Sequence, residues 1–313
     1  MGNANFARMV SSPTNPNGFK NDKVLKRIFN GNNILKRADE RYVIDFGDYE
    51  AQQDASLFEL PYHFLEKAYE VYAESSKLKK RKITVRSDWW IHRRSGAALR
   101  NSIKSLSRFI VTPRVGKHRV FIWLEQGSIP DSATFAIARS DDTSFGILHS
   151  AVHELWSLRM GTFLGVGNDP RYTPSSTFET FPFPAGLTPD IAAADYADDP
   201  RAIAIAAAAA RLNELRENWL NPADLVVREP EVVPGYPDRI LAKDEAAAKE
   251  LAKRTLTNLY NTRPAWLDNS HKALDEAVAE AYGWGDDWRA GLLTDDEILA
   301  RLFRLNQERT NSI

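Results

Sequence analysis

The run Phe181-Pro-Phe-Pro184 marks a change of folding rule in this chain. Before it the apolar residues fall largely in short β-type runs, Arg108-Phe-Ile-Val-Thr, Arg119-Val-Phe-Ile-Trp-Leu and Ala133-Thr-Phe-Ala-Ile-Ala, with helical spacing over Asp54 to Lys77, Ser95 to Lys104 and Ser144 to Met160. After it the sequence reads as helices with marked ends. Asp199-Pro200 supplies an N-cap and a Pro at the first helical position, and Asn221-Pro222 stops the same helix. Lys243 to Tyr260, Asn269 to Tyr282 and Thr294 to Gln307 read as three more, the last opening on the capping box Thr294-Asp-Asp-Glu297. The expectation is an α+β protein: a mixed α/β unit of short strands and packed helices, followed by a small all-α bundle. In domain terms, residues 1–35 read as a linker, 36–184 as the mixed unit and 185–313 as the helical one.

Charge divides at the same place. Residues 1–184 hold 26 Lys+Arg against 19 Asp+Glu, and residues 185–313 hold 15 against 23, so a net charge of −1 conceals halves of +7 and −8. Residues 75–120 alone contain fourteen basic side chains and one acid, Asp88. An excess that persists through several elements points to a polyanionic partner. The chain has no Cys, which excludes disulfide scaffolds, thiolate metal sites and thiol nucleophiles and fits a cytoplasmic location. The most apolar run, Ile203 to Ala210, is far too short to span a bilayer, so no membrane partner is expected.

Catalytic signatures are sparse. His149 and His153 are one turn apart on the expected helix, but Ser150 stands where a zinc protease needs its Glu, and packing or hydrogen bonding is the better reading. A small hydrolase built on that pair ranks last among the functions considered. Gly165-Val-Gly167 lacks the third glycine of a dinucleotide loop, and the phosphate-cradling Gly-x-x-x-x-Gly-Lys pattern is missing. No catalytic, cofactor-binding or metal-ligating residue is assigned.

Ordered blocks do carry a resemblance: Asp45-Phe-Gly, Trp89-Trp-Ile-His-Arg-Arg, Thr112-Pro-Arg-Val-Gly-Lys-His-Arg-Val-Phe, Phe145-Gly-Ile-Leu-His-Ser and Tyr172-Thr-Pro-Ser-Ser-Thr-Phe-Glu-Thr-Phe-Pro-Phe-Pro. It continues through Leu212-Asn-Glu-Leu-Arg-Glu-Asn-Trp-Leu-Asn-Pro, Tyr236-Pro-Asp-Arg-Ile-Leu, Arg254-Thr-Leu-Thr-Asn-Leu-Tyr-Asn and Ala281-Tyr-Gly-Trp. In these blocks the chain resembles the MmeI-like (type IIL) DNA adenine methyltransferases of restriction-modification systems. The resemblance implies that residues to about 184 form a target-recognition domain, that the remainder is the family's C-terminal helical domain, and that the partners are double-stranded DNA and a methyltransferase catalytic domain, on the same polypeptide or a separate subunit. The S-adenosylmethionine loop and the Asn-Pro-Pro-Tyr loop that such chemistry needs are both missing, so this chain alone is expected to be inactive. The cofactor is then implied only for the full-length enzyme. The alternative is a stand-alone nucleic-acid-binding or specificity protein without enzymatic activity.

Candidate DNA contacts follow from residue chemistry. Lys80, Arg81 and Lys82 suit phosphates; Arg93, Arg94 and Arg100 follow the Trp89-Trp90 pair, whose rings read as core. Arg114, Lys117 and Arg119 flank Gly116 in an expected turn, where an arginine fork can take a guanine. Asn168, Arg171 and Tyr172 make a second polar loop. Six phosphate contacts would give a log–log salt slope of about −5.

Overall fold

A computed structural model describes residues 3–37, 41–75, 86–92, 96–164, 169–230 and 238–311. The α+β expectation holds: short sheets lie among numerous helices. The chain opens with α1 (Asn3–Val10), β1 (Leu25–Phe29), α2 (Gly31–Leu35) and β2 (Tyr42–Ile44). Phe6, Met9, Val24, Leu25, Tyr42, Ile44, Phe46, Phe58 and Trp90 are buried together in a first core. Residues expected to be a linker are therefore folded structure up to Leu35, because their scattered apolar side chains find partners beyond residue 40. Trp89 and Trp90 belong to this core, as read from the sequence.

The expected helix over Asp54 to Lys77 is two, α3 (Gln52–Ser56) and α4 (Glu59–Glu74), with Pro61 in the first turn of α4, where no intrahelical donor is needed. After α5 (Ala97–Ile103) comes β3 (Arg108–Pro113), the centre of a three-stranded antiparallel sheet between β4 (Ile122–Glu125) and β6 (Thr134–Ile137). Its apolar run is uninterrupted because both faces are covered: Phe109 and Val111 pack with Ile34 of α2, and Ile110 faces the main core. Between β4 and β6, β5 (Ser128–Pro130) pairs in parallel with β1 and ties this sheet region to the N-terminal core.

Ser144 to Met160 is likewise two helices, α6 (Asp142–His149) and α7 (Ala151–Met160). Ser150 is extended and caps α7, accepting from the His153 N–H. The apolar pattern runs through this break, so periodicity could not reveal it. The segment from Gly161, expected as loop, holds a ribbon of β7 (Thr162–Leu164) and β8 (Asp169–Arg171), then α8 (Pro174–Thr177).

In the second half α9 (Pro200–Leu220) starts and stops at the punctuation read from the sequence. The proline-rich connector carries a further ribbon, β9 (Val226–Glu229) with β10 (Arg239–Ala242), so this half is not purely helical. α10 (Glu245–Leu251) and α11 (Leu256–Thr262) divide where Thr255 caps the second. α12 (Ala265–Ala281), α13 (Gly285–Arg289) and α14 (Asp295–Thr310) follow; Thr294 accepts from the Glu297 N–H, while Glu297 turns to Arg301.

One core, running from Ile110 to Leu302, crosses residue 184 without a break. The Ala-rich stretch of α9 explains how. At Gly146 of α6 a Cβ would stand 2.6 Å from Ile205 Cγ2 and 3.0 Å from Ala209 Cβ, so small residues on both helices permit this close approach. Among the described residues, no helix is long and apolar enough to cross a membrane.

Candidate nucleic-acid interface

The turn after β3 and the ribbon β7–β8 are separated by some fifty residues of sequence, yet the fold fastens them together. Val115 bridges Arg171, the Tyr172 N–H donates to the Arg114 carbonyl at 2.8 Å, and the Gly116 N–H donates to the Pro170 carbonyl at 3.3 Å. This brings Arg114, Lys117 and Arg171 into one neighbourhood. Arg114 and Arg171 are half-buried, and each has a buried Nε without a hydrogen-bond partner among the described residues. Arg114 lies over the Phe135 ring at 4.9 Å. Lys117 is exposed and donates to the neutral amide oxygen of Asn261 at 2.8 Å, which His118 also approaches at 2.9 Å. None of Arg114, Lys117 and Arg171 has a carboxylate partner among the described residues. A surface on which several cations lack internal counter-charges suits a polyanion.

Behind that turn lies a buried polar layer, and two candidate DNA contacts belong to it. Arg119 is 7% exposed; its Nε donates to Ser157 Oγ at 3.1 Å and its guanidinium lies 4.9 Å from the Tyr172 ring centre. Tyr172 is fully buried and its hydroxyl is hydrogen-bonded to His153 Nε2 at 3.1 Å. Burial lowers the pKa of the first and raises that of the second. Both are corrected from surface contacts to interior residues: the Arg119 guanidinium is drawn in by Ser157 and the Tyr172 ring, and that ring in turn packs among Phe121, His153 and Phe135.

Arg100 is also spent inside the fold. It pairs with Asp45, whose side chain is 1% exposed, and its guanidinium occupies the position that a Cβ at Gly47 would need. Lys80, Arg81, Lys82, Arg93, Arg94 and Asn168 lie outside the described residues.

The histidines bond and pack. His149 Nε2 accepts from the Phe121 N–H at 3.1 Å and from Arg216 at 2.7 Å, while Nδ1 faces the Phe145 carbonyl. Burial first, then the Arg216 charge, holds it well below the usual histidine range. Burial and Arg119 bring His153 down to about 3. Among the described residues no group of three His or carboxylate side chains could hold a metal.

Sequence reasoning missed the residues that join the halves. Arg216 of α9, 2% exposed, also donates to the Phe121 carbonyl at 2.9 Å. Asp275 of α12 accepts from the Ala151 N–H at 2.7 Å and so caps α7 from outside; burial raises its pKa to about 7. Arg37 reaches the Leu220 carbonyl and the Asn221 side chain. Each has a partner remote in sequence, and no local pattern announces it.

Fold and site define an α+β protein in which a turn and a ribbon bring together basic side chains that have no carboxylate partner among the described residues. The model of the family described as MmeI, target recognition domain, matches residues 12–185, more than half of the chain, and the chain belongs to that family. Among solved structures, the type IIL restriction-modification enzyme MmeI in complex with DNA is similar with a TM-score of 0.58 and 18% identity, covering 99% of this chain and 34% of that one. At that identity the likeness is one of fold, and the chain spans about a third of the length of that enzyme. No curated protein matches.

Proposed function

We propose that this chain is the sequence-reading part of a site-specific DNA adenine-N6 methyltransferase of a restriction-modification system. The methyl-transfer core would lie outside residues 1–313, and S-adenosylmethionine would bind there, since neither loop that the chemistry needs occurs in this sequence. The observation that carries the reading is the joining of Arg114, Lys117 and Arg171, without carboxylate partners among the described residues, inside the stretch that matches the recognition-domain model. In this reading Lys117 and Arg171 hold phosphates and fix register, and Arg114 offers its fork to a guanine edge. The helical half braces the reading surface through Asn261, Arg216 and Asp275, and the protein works in the cytoplasm. Retention of a randomised duplex pool near physiological salt, followed by sequencing, tests the proposal. Enrichment of one short adenine-containing motif is expected. Retention without enrichment, or none, contradicts sequence reading by this chain.

A further inference from the structure

The ribbon β7–β8 stands out from the core. Thr162, Phe163 and Leu164 are all exposed, Phe163 by 48% and Leu164 by 41%. Antiparallel register sets Phe163 opposite Pro170, Thr162 opposite Arg171 and Leu164 opposite Asp169. Directly opposed residues share a face, so one face of the ribbon is apolar throughout, made by Phe163 and Pro170, while the other is mixed, with Thr162 opposite Arg171 and the apolar Leu164 opposite Asp169. A two-stranded ribbon is marginal on its own. This one is fixed at its base, where a Cβ on Gly161 would stand 2.5 Å from the Ser157 carbonyl and 2.8 Å from that of Arg171. A rigidly rooted arm with an uncovered aromatic side chain is built to enter something.

The charges at its root say what. Arg114, Lys117 and Arg171 lack carboxylate partners among the described residues, which favours a polyanion over an apolar protein surface. A two-stranded ribbon matches the major groove, about 12 Å wide, and is too broad for the minor groove of about 6 Å. On the floor of the major groove the apolar group is the 5-methyl of thymine, a partner suited to Phe.

We propose that the ribbon lies in the major groove of the target duplex and that Phe163 reads a thymine through its 5-methyl group, held in register by Lys117 and Arg171. The proposal rests on the DNA-recognition reading above. A target that contains adenine necessarily presents thymine on the opposite strand, so the contact needs no further ligand.

The test uses the whole chain and a duplex recovered from the randomised pool. Each thymine in turn is replaced by uracil, which removes the methyl group alone, and Kd is measured for the wild type and for Phe163→Ala, with circular dichroism to show that the variant is folded. At one position uracil should weaken wild-type binding about four-fold, the equivalent of one methyl group returned to water. Phe163→Ala should bind the thymine duplex more weakly by a similar factor and be indifferent to uracil there. A variant that keeps the wild-type response to uracil, or a wild type indifferent at every position, overturns the proposal while leaving DNA recognition standing. If the wild type binds no duplex, the recognition reading falls and this proposal with it.

Discussion

The two halves of the chain treat their positive charges differently. Among the described residues of 185–313, eleven basic side chains stand within ion-pair distance of a carboxylate, among them Lys249 with Glu245, Lys272 with Asp268 and Arg289 with Glu276, Glu280 and Asp286. Seven of these fourteen pairs join residues three or four apart in sequence, so local spacing supplies half of this neutralisation and tertiary contacts the rest. In the first half two pairs, Arg100 with Asp45 and Arg108 with Asp142, join residues remote in sequence and so hold elements together. Among the described residues Arg114, Lys117 and Arg171 have no carboxylate within ion-pair distance, even though Asp169 lies on the same ribbon. Net charge alone therefore understates the contrast, which lies in how far the positive charges of each half are paired locally.

The largest effect that would break this comparison is on DNA affinity. Replacing Arg114, Lys117 and Arg171 together by Ala should weaken duplex binding on the order of 10²- to 10³-fold at low salt, whereas Ala at Lys249, Lys253 and Arg211 should leave it unchanged. Equal losses from the two triple variants, read by fluorescence anisotropy, would erase the distinction between the halves.

Next in size is a pH effect at the joint between them. Asp275 has a folded pKa of about 7 against 3.8 unfolded, so the fold keeps its proton longer; its contribution is complete below pH 3.8 and is lost as pH rises through 7. Asp275→Asn, which keeps an acceptor for the Ala151 N–H, should raise unfolding free energy at pH 8 by about 3 kcal/mol and leave pH 4 nearly unchanged. Parallel wild-type and variant profiles from pH 4 to 8 in urea melts would show that this carboxylate carries no burial cost. His153 and His271 act in the other direction. Both sit at about 3 when folded against 6.5 unfolded, so stability falls as pH drops from 6.5 toward 3 in either protein.

Gly146→Val should cost about 2 kcal/mol through overpacking against Ile205 and Ala209. Because the halves share one core, α6 and α9 should lose hydrogen-exchange protection together; loss in α6 alone would mean that the halves are independent. Least of all, Lys249→Ala should leave the thermal midpoint unmoved, as expected of an exposed pair.

Much of this was readable in advance where the signal is local. α9 begins at Pro200 and ends before Asn221-Pro222 because caps and prolines act on their own neighbours. β3 shows as an unbroken apolar run. The ribbon β7–β8 was hidden in a Gly- and Pro-containing stretch, since strands of three residues leave almost no periodicity. At the site, sequence identified the turn around Gly116 and the Arg171 loop, but not which basic residues face inward. Lys117 and Arg119 are two residues apart in one motif, one exposed and the other buried against Tyr172. That division is set by residues from α7 and the segment after β8, which no short pattern contains.

The central claim is that the Arg114–Lys117–Arg171 face meets the DNA backbone, and the salt dependence of binding tests it most directly. Log Kd against log salt should have a slope magnitude near 5 for the wild type and fall by about 1.8 in the triple variant, about 0.9 for each of the two phosphate contacts made by Lys117 and Arg171. An unchanged slope would place the polyanion elsewhere on the molecule and contradict the account.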